Sequence, residues 1–272
     1  MSAGRVVGIF AHPDDESILA GGTLAACAAA GLEVVIVCLT RGEAGPIAHP
    51  DLATRQTLGA VREAELRAAA DALGVQAVEC LGYPDGGLPW VEAGKVEADL
   101  ARRLRHWRPE AVMTFGPEGL YGHPDHVAVY RRTMAVVDAL AGKPDDRNGP
   151  WRPWVYQATW PQGRMAELVS AVAARGLPAH LWGLHPDDFG APPSLITTVL
   201  DVRRFVGPKL RALRSHRTQL APEHLFGVVP EDLAAEFLGR EYFVRVRPLA
   251  TPGDWLAEAV GGAAATGARG RP

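Results

Sequence analysis

The sequence predicts an α/β fold, a Rossmann-like and mostly parallel sheet flanked by helices, with the active site at the carboxyl edge of the strands. Three observations carry this expectation. Short apolar, β-branched runs alternate with Ala/Leu-rich or amphipathic segments. The connections between them are short, as in parallel βαβ units. The most polar and unusual stretches each follow an apolar run directly, where ligands bind in such sheets.

The elements follow in order. Arg5 to Phe10 (RVVGIF) is short and apolar and predicts a buried strand. Glu16 to Ala30 is rich in Ala and Leu and stops at Gly31, which predicts a helix. Leu32 to Leu39 predicts the second strand, and Arg41 to Gln56 a loop. Thr57 to Leu73 is an amphipathic helix ending at Gly74, and Val75 to Leu81 the third strand. Tyr83 to Leu88 (YPDGGL) carries turn residues. Val91 to Trp107 predicts a helix, Ala111 to Phe115 the fourth strand, and Asp125 to Leu140 a helix. The second half is less regular. Trp154 to Trp160, Leu195 to Val202 and Tyr242 to Val246 are strand candidates, with a helix across Arg203 to Arg214. Residues 1–250 are read as one domain with an insertion around 142–193. Residues 251–272 form a low-complexity tail whose last ten or so residues are expected to be disordered.

Composition narrows the class. The chain has 272 residues, 47% hydrophobic and 22% charged, enough apolar material for a sizeable core. The net charge of -3 and pI near 6.3 lack the basic excess of nucleic-acid or anionic-membrane binders. The arginines at 102, 103, 105 and at 211, 214, 217 fall in helical segments and read as solvated faces. Three scattered cysteines, Cys27, Cys38 and Cys80, argue against a disulfide framework. No secretory signal or membrane-spanning run is visible, so the sequence is read as cytoplasmic.

Two segments carry chemistry. Ala11 to Glu16 (AHPDDE) places a histidine and three acids just after the first strand. Burying such a group without a counterion is costly, and a divalent cation resolves the cost. Imidazole with carboxylate suits zinc and other first-row metals. Adjacent aspartates do not readily point the same way, so one can bind metal while the other faces water. Tyr121 to His126 (YGHPDH) follows the fourth strand and again sets His and Asp about a Pro. His123 and His126 lie three apart near a helix start and can share a face. Asp125 is placed to take a ring N–H from a histidine and fix its tautomer. A single HPD is by itself a turn; it recurs at His49 to Asp51 and at His185 to Asp187. What weighs toward a metal site is two copies following strands at one sheet edge.

These segments resemble the LmbE-like or PIG-L N-acetylglucosamine deacetylases. That family includes the deacetylases of mycothiol and bacillithiol biosynthesis and the mycothiol conjugate amidase. The resemblance rests on AHPDDE at 11–16, VREAELRAAADALGV at 61–75, GYPDGGL at 82–88, YGHPDH at 121–126 and KLRALRSHRTQ at 209–219. It implies His12, Asp15 and His126 as zinc ligands, with Fe2+ or another divalent metal as alternatives. It implies Asp14 as general base. His123 would protonate the leaving amine or steady the oxyanion, with Asp125 as its orienting partner. Tyr121 would reach the oxyanion, and Arg62 and Asp85 would hold substrate. It further implies a small amino-sugar substrate, with a low-molecular-weight thiol precursor as the leading example, and a homo-oligomer.

Other residues keep two readings. Arg41 and Glu43 either line the site or form a loop salt bridge. Glu16 and His216 read as supporting residues. Trp151, Trp154, Trp160 and Trp182 read as core, although sugars also stack on aromatic faces. His180 is ordinary, and His185 opens a turn. Among rival functions, a dinucleotide oxidoreductase needs a Gly-rich turn where AHPDDE stands. A two-metal phosphoesterase wants more ligands. An amidase of a thiol conjugate stays open. A non-catalytic amino-sugar binding protein has no need of Asp14 and His123.

Overall fold

The structure is a computed structural model that describes residues 4–143, 149–248 and 252–266. Seven strands form one sheet in the order β3-β2-β1-β4-β5-β7-β6. They are β1 (Arg5–Phe10), β2 (Glu33–Thr40), β3 (Ala77–Tyr83), β4 (Ala111–Phe115), β5 (Trp154–Thr159), β6 (Thr198–Asp201) and β7 (Arg240–Arg247). The first five run parallel. β7 lies antiparallel between β5 and β6. Val6 pairs with Val34 on one side and Ala111 on the other, so β1 is central. Both faces of β1 and β2 are covered, which is why their apolar residues run without alternation.

The helices are α1 (Asp15–Ala29), α2 (Leu58–Leu73), α3 (Ala93–Trp107), a short turn α4 (Gly119–Gly122), α5 (Pro124–Leu140), α6 (Arg164–Ala173), α7 (Val206–Ser215), α8 (Leu225–Val228), α9 (Glu231–Phe237) and α10 (Trp255–Thr266). Among them, no helix is long and apolar enough to cross a membrane. Several elements differ from the sequence expectation. β5 agrees with the strand expected over Trp154 to Trp160 and lies inside the sheet, although it falls within the stretch read as an insertion. α6 and α9 were not expected. α10 occupies much of the presumed tail; of the last ten or so residues, where disorder was expected, those up to Thr266 belong to α10 and residues 267–272 lie outside the described residues. β6 starts only at Thr198, after a 3-10 turn at Pro193–Leu195.

The connection from β1 leads into α1 on one side, and that from β4 leads through α4 into α5. Their divergence between neighbouring strands makes the crevice in which this topology binds ligands. α7 lies across α1 and α2 and delivers residues 216–219 to the rim. An internal ion pair fixes this packing. Lys209 Nζ donates to Glu241 Oε1 at 2.6 Å, and both groups are buried. Glu241 also accepts from the backbone N–H groups of Gly22 (2.8 Å) and Thr23 (2.7 Å) inside α1. Gly22 permits the approach: a Cβ there would stand 2.5 Å from Val202 Cγ2.

Candidate metal centre and active-site cleft

The two motifs meet at the carboxyl edge. Asp15 opens α1 and His126 lies in the first turn of α5. His12 Nδ1 is 3.2 Å from His126 Nε2 and 3.4 Å from Asp15 Oδ2, and His126 Nε2 is 3.2 Å from Asp15 Oδ1. Bonds of about 2.0–2.1 Å in a tetrahedral site put donor atoms roughly 3.3 Å apart. The three residues therefore frame a space of the right size for a small divalent cation.

Hydrogen bonds orient the imidazoles toward that space. His126 Nδ1 donates to Gly119 O at 3.1 Å, and its ring stacks on Phe115 with centroids 4.1 Å apart. Its Nε2 lone pair is thus free for the centre. His12 Nε2 donates to Asp85 Oδ1 (3.0 Å) and Asp125 Oδ2 (3.3 Å), leaving the Nδ1 lone pair on the same side. Two lone pairs facing each other at 3.2 Å need a proton or a cation between them. Carboxylates holding the outer N–H are the usual support of metal-binding histidines. Other convergent groups are His12, His123, His126 and His12, Asp85, Asp125.

Charge follows the same geometry. Burial opposes ionisation of His12, but the carboxylates of Asp125, Asp15 and Asp85 outweigh it and hold its pKa well above the usual value. Burial also opposes the Asp15 anion, yet His126 and His12 hold its carboxyl well below the usual range. Asp85 is held near 2 against burial, first by the His12 hydrogen bond.

Asp14 differs from its neighbour in every respect. It has φ 129° and ψ -29°, outside the ordinary regions for a non-glycine residue. Two clamps impose this. Glu16 Oε2 accepts from the Asp14 N–H at 3.0 Å, while Glu16 Oε1 accepts from His216 Nε2 at 2.9 Å. Arg62 donates to Pro13 O (2.6 Å), Gly42 O (2.9 Å) and Asp14 Oδ2 (3.1 Å). Gly42, at φ 65°, makes room: a Cβ there would meet the guanidinium at 2.3 Å. Burial pushes the Asp14 carboxyl up to about 7, with Arg62 pulling the other way. Asp14 lines the cleft, as His12 and Asp15 also do, and its carboxylate is held there by Arg62.

The remaining expected residues line or brace the cleft. His123 caps α5 by accepting the Asp125 N–H on Nδ1 at 3.2 Å, so its proton sits on Nε2. Burial, with His126 and His12 adding, pushes its pKa down to about 4. The Asp125 carboxylate takes a ring N–H, as expected of it, and the histidine is His12, while its backbone N–H orients His123. The start of α5 also turns the carboxylate to the N–H groups of Gly86 (2.8 Å) and Leu88 (3.1 Å). Tyr121 lines the cleft, and burial, then Asp15 and Asp14, keep its hydroxyl protonated. Arg62 is buried at 3% exposure, not solvated. Asp85 lines the cleft but spends its carboxylate on His12 and on the Ala44 N–H (2.8 Å). Arg41 pairs with Glu63 at 2.8 Å, whereas Glu43 accepts the Asp85 N–H at 3.0 Å. His185 is an exposed turn cap, as expected.

Trp182 takes the second of its two readings and forms part of the wall, together with Gln219 and Phe189, which were not expected there. Phe189 packs on Tyr121 with centroids 5.0 Å apart. Gln219 donates to Pro46 O at 2.9 Å. The HRTQ string after α7 was the available signal for Gln219.

The fold and cleft define an α/β protein with a His/Asp donor set and, beside it, the Arg62-bound carboxyl of Asp14. The sequence matches the PIG-L family, GlcNAc-PI de-N-acetylase, over residues 7–137. The 1D-myo-inositol 2-acetamido-2-deoxy-alpha-D-glucopyranoside deacetylase of Acidothermus cellulolyticus is 34% identical over 268 residues, 90% of this chain and 89% of the relative. The chain belongs to the PIG-L family and is a hydrolase of the N-deacetylase class. Among solved structures, N,N'-diacetylchitobiose deacetylase from Pyrococcus horikoshii matches with TM-score 0.62 and 24% identity, over 90% of this chain and 83% of that one. The 4-carboxy-2-hydroxymuconate hydratase GalB from Pseudomonas putida matches with TM-score 0.66 and 20% identity, over 92% and 99%. Similar folds thus carry a hydration as well, and the reaction must be argued from the site.

Proposed function

We propose that this chain removes the N-acetyl group of a small N-acetylglucosaminyl compound, using a divalent cation held by His12, Asp15 and His126. The observation that carries the reading is the split between adjacent aspartates: the Asp15 carboxylate lies against His126 and His12, while that of Asp14 pairs with Arg62 at the cleft wall. Zinc suits two imidazoles and a carboxylate; iron or another first-row metal suits them nearly as well. Bound there, the cation would supply an acidified water and a polarised acetamide carbonyl.

The chain's own groups do the rest. Asp14 takes the proton of the attacking water. Arg62 fixes that carboxylate toward the cleft. The oxyanion accepts from the Tyr121 hydroxyl and from the Nε2–H of His123. Of the two roles implied for His123, its tautomer favours this one. Donors of this kind typically contribute about 3–4 kcal/mol each. The C–N bond then breaks as Asp14 returns the proton to the leaving amine, giving acetate and the free amino sugar.

The test is amine release from N-acetylglucosaminyl-inositol and N-acetylglucosaminyl-malate, with zinc-loaded and chelated protein. Release that vanishes on chelation and returns with metal supports the reading. Metal-replete protein that releases amine from neither compound, nor from simple glycosides of N-acetylglucosamine, contradicts it.

A further inference from the structure

Beside the catalytic cleft, of about 330 Å³, lies a larger cavity of about 570 Å³. Both volumes fall in the range of small-molecule sites. The two adjoin, sharing Pro46, Trp182 and Gln219 as wall residues. Trp182 stands at the junction, its Nε1–H donating to Gln219 O at 3.0 Å and its ring 4.0 Å from that of His224.

The cavity differs in character from the cleft. Ala48, Val169, Leu181, Leu184 and Pro186 give it an apolar wall, with His180 and Gln219 among its polar members. No lysine or arginine lines it among the described residues, and its one carboxylate is Glu223. His224 is buried at 2% exposure. Its Nδ1 accepts the Phe226 N–H at 3.2 Å, so the proton sits on Nε2, which has no hydrogen-bond partner. Burial pushes this imidazole down to about 4, so it is neutral.

We propose that this cavity is a subsite for an uncharged, apolar aglycone of the amino-sugar substrate. The inference rests on the deacetylase reading: the cleft holds the acetamide and sugar, and the cavity holds what is attached to them. An anionic aglycone would find no counter-cation and would meet Glu223. A ring hydroxylated at every carbon would lose its water hydrogen bonds against the apolar wall. An alkyl or aryl group gains by leaving water there, and the Trp182 face offers it a flat contact.

The experiment compares kcat/KM for deacetylation of the methyl, n-hexyl and benzyl glycosides of N-acetylglucosamine by metal-loaded protein. The hexyl-to-methyl and benzyl-to-methyl ratios are expected to exceed about tenfold, the scale at which a hydrophobic pocket discriminates. In Ala179→Phe, which fills the cavity, both ratios fall toward one. Ala48→Phe fills it from another segment, should the first variant lose its fold by circular dichroism. Ratios near one in the wild type, with the methyl glycoside still turned over, overturn the subsite and leave the deacetylase reading standing. Ratios unchanged in a folded, filled variant also overturn it. Amine release from no glycoside by metal-replete protein overturns both.

Discussion

The cleft has two sides of opposite character. On the β1/β4 side, His12, Asp14, Asp15, His123 and His126 come from two segments of six residues each. Their polar atoms are aimed by carboxylates, backbone carbonyls and the Arg62 guanidinium. On the other side, Trp182, Phe189 and Gln219 come from the 180s loop and the end of α7. They meet by aromatic contact and a few backbone hydrogen bonds. On the function proposed above, the first side carries the reaction and the second sets shape, which puts chemistry and substrate choice in different parts of the chain.

Substitutions on the two sides should therefore fail differently. His126→Ala removes a donor of the proposed centre and should abolish both metal retention and amine release; metal analysis beside the assay checks it. Asp14→Asn should lower kcat about 10²- to 10⁴-fold, the usual scale of acid–base catalysis, with metal content unchanged. If kcat falls less than tenfold, Asp14 is not the base.

The frame behind both sides has its own test. Lys209→Met leaves the buried Glu241 carboxylate without its ammonium partner. Breaking a buried pair in this way costs about 3–5 kcal/mol, read as a drop in denaturation midpoint. A loss below about 1 kcal/mol would mean that the N–H groups of Gly22 and Thr23 suffice for that charge.

The smallest effect is on pH dependence. Folding holds His224 near 4, below the value of about 6.5 it has in an unfolded chain. The unfolded chain therefore takes up a proton that the folded one refuses. The stability this residue contributes is present above pH 6.5 and is lost as pH falls toward 4. His224→Gln should flatten the acid limb of a stability–pH curve; an unchanged limb would show that His224 titrates freely in the fold.

The sequence made one side of the comparison far more legible than the other. The parallel strands β1, β2 and β4 were readable because both their faces are buried, so they stand out as apolar runs. The AHPDDE and YGHPDH groups were readable because their carboxyls and imidazoles are neighbours in sequence as well as in space. Gln219 was not, since it reaches the cleft only because α7 lies across α1 and α2. Phe189 was hidden for the same reason, and Trp182 kept two readings: an aromatic residue in a loop looks alike whether it packs in a core or walls a pocket. The turn of Asp125 toward His12 depends on N–H groups of Gly86 and Leu88, about forty residues upstream. α10 was missed because its Ala- and Gly-rich composition suits a tail as well as a helix.

The most direct test sets the adjacent aspartates against each other. Metal bound per chain is measured for Asp14→Asn and Asp15→Asn after identical loading and desalting, with amine release assayed on the same samples. The account predicts that Asp14→Asn keeps its metal and loses turnover, while Asp15→Asn loses both. Metal lost from Asp14→Asn and kept by Asp15→Asn would contradict it, and would exchange the roles of ligand and base.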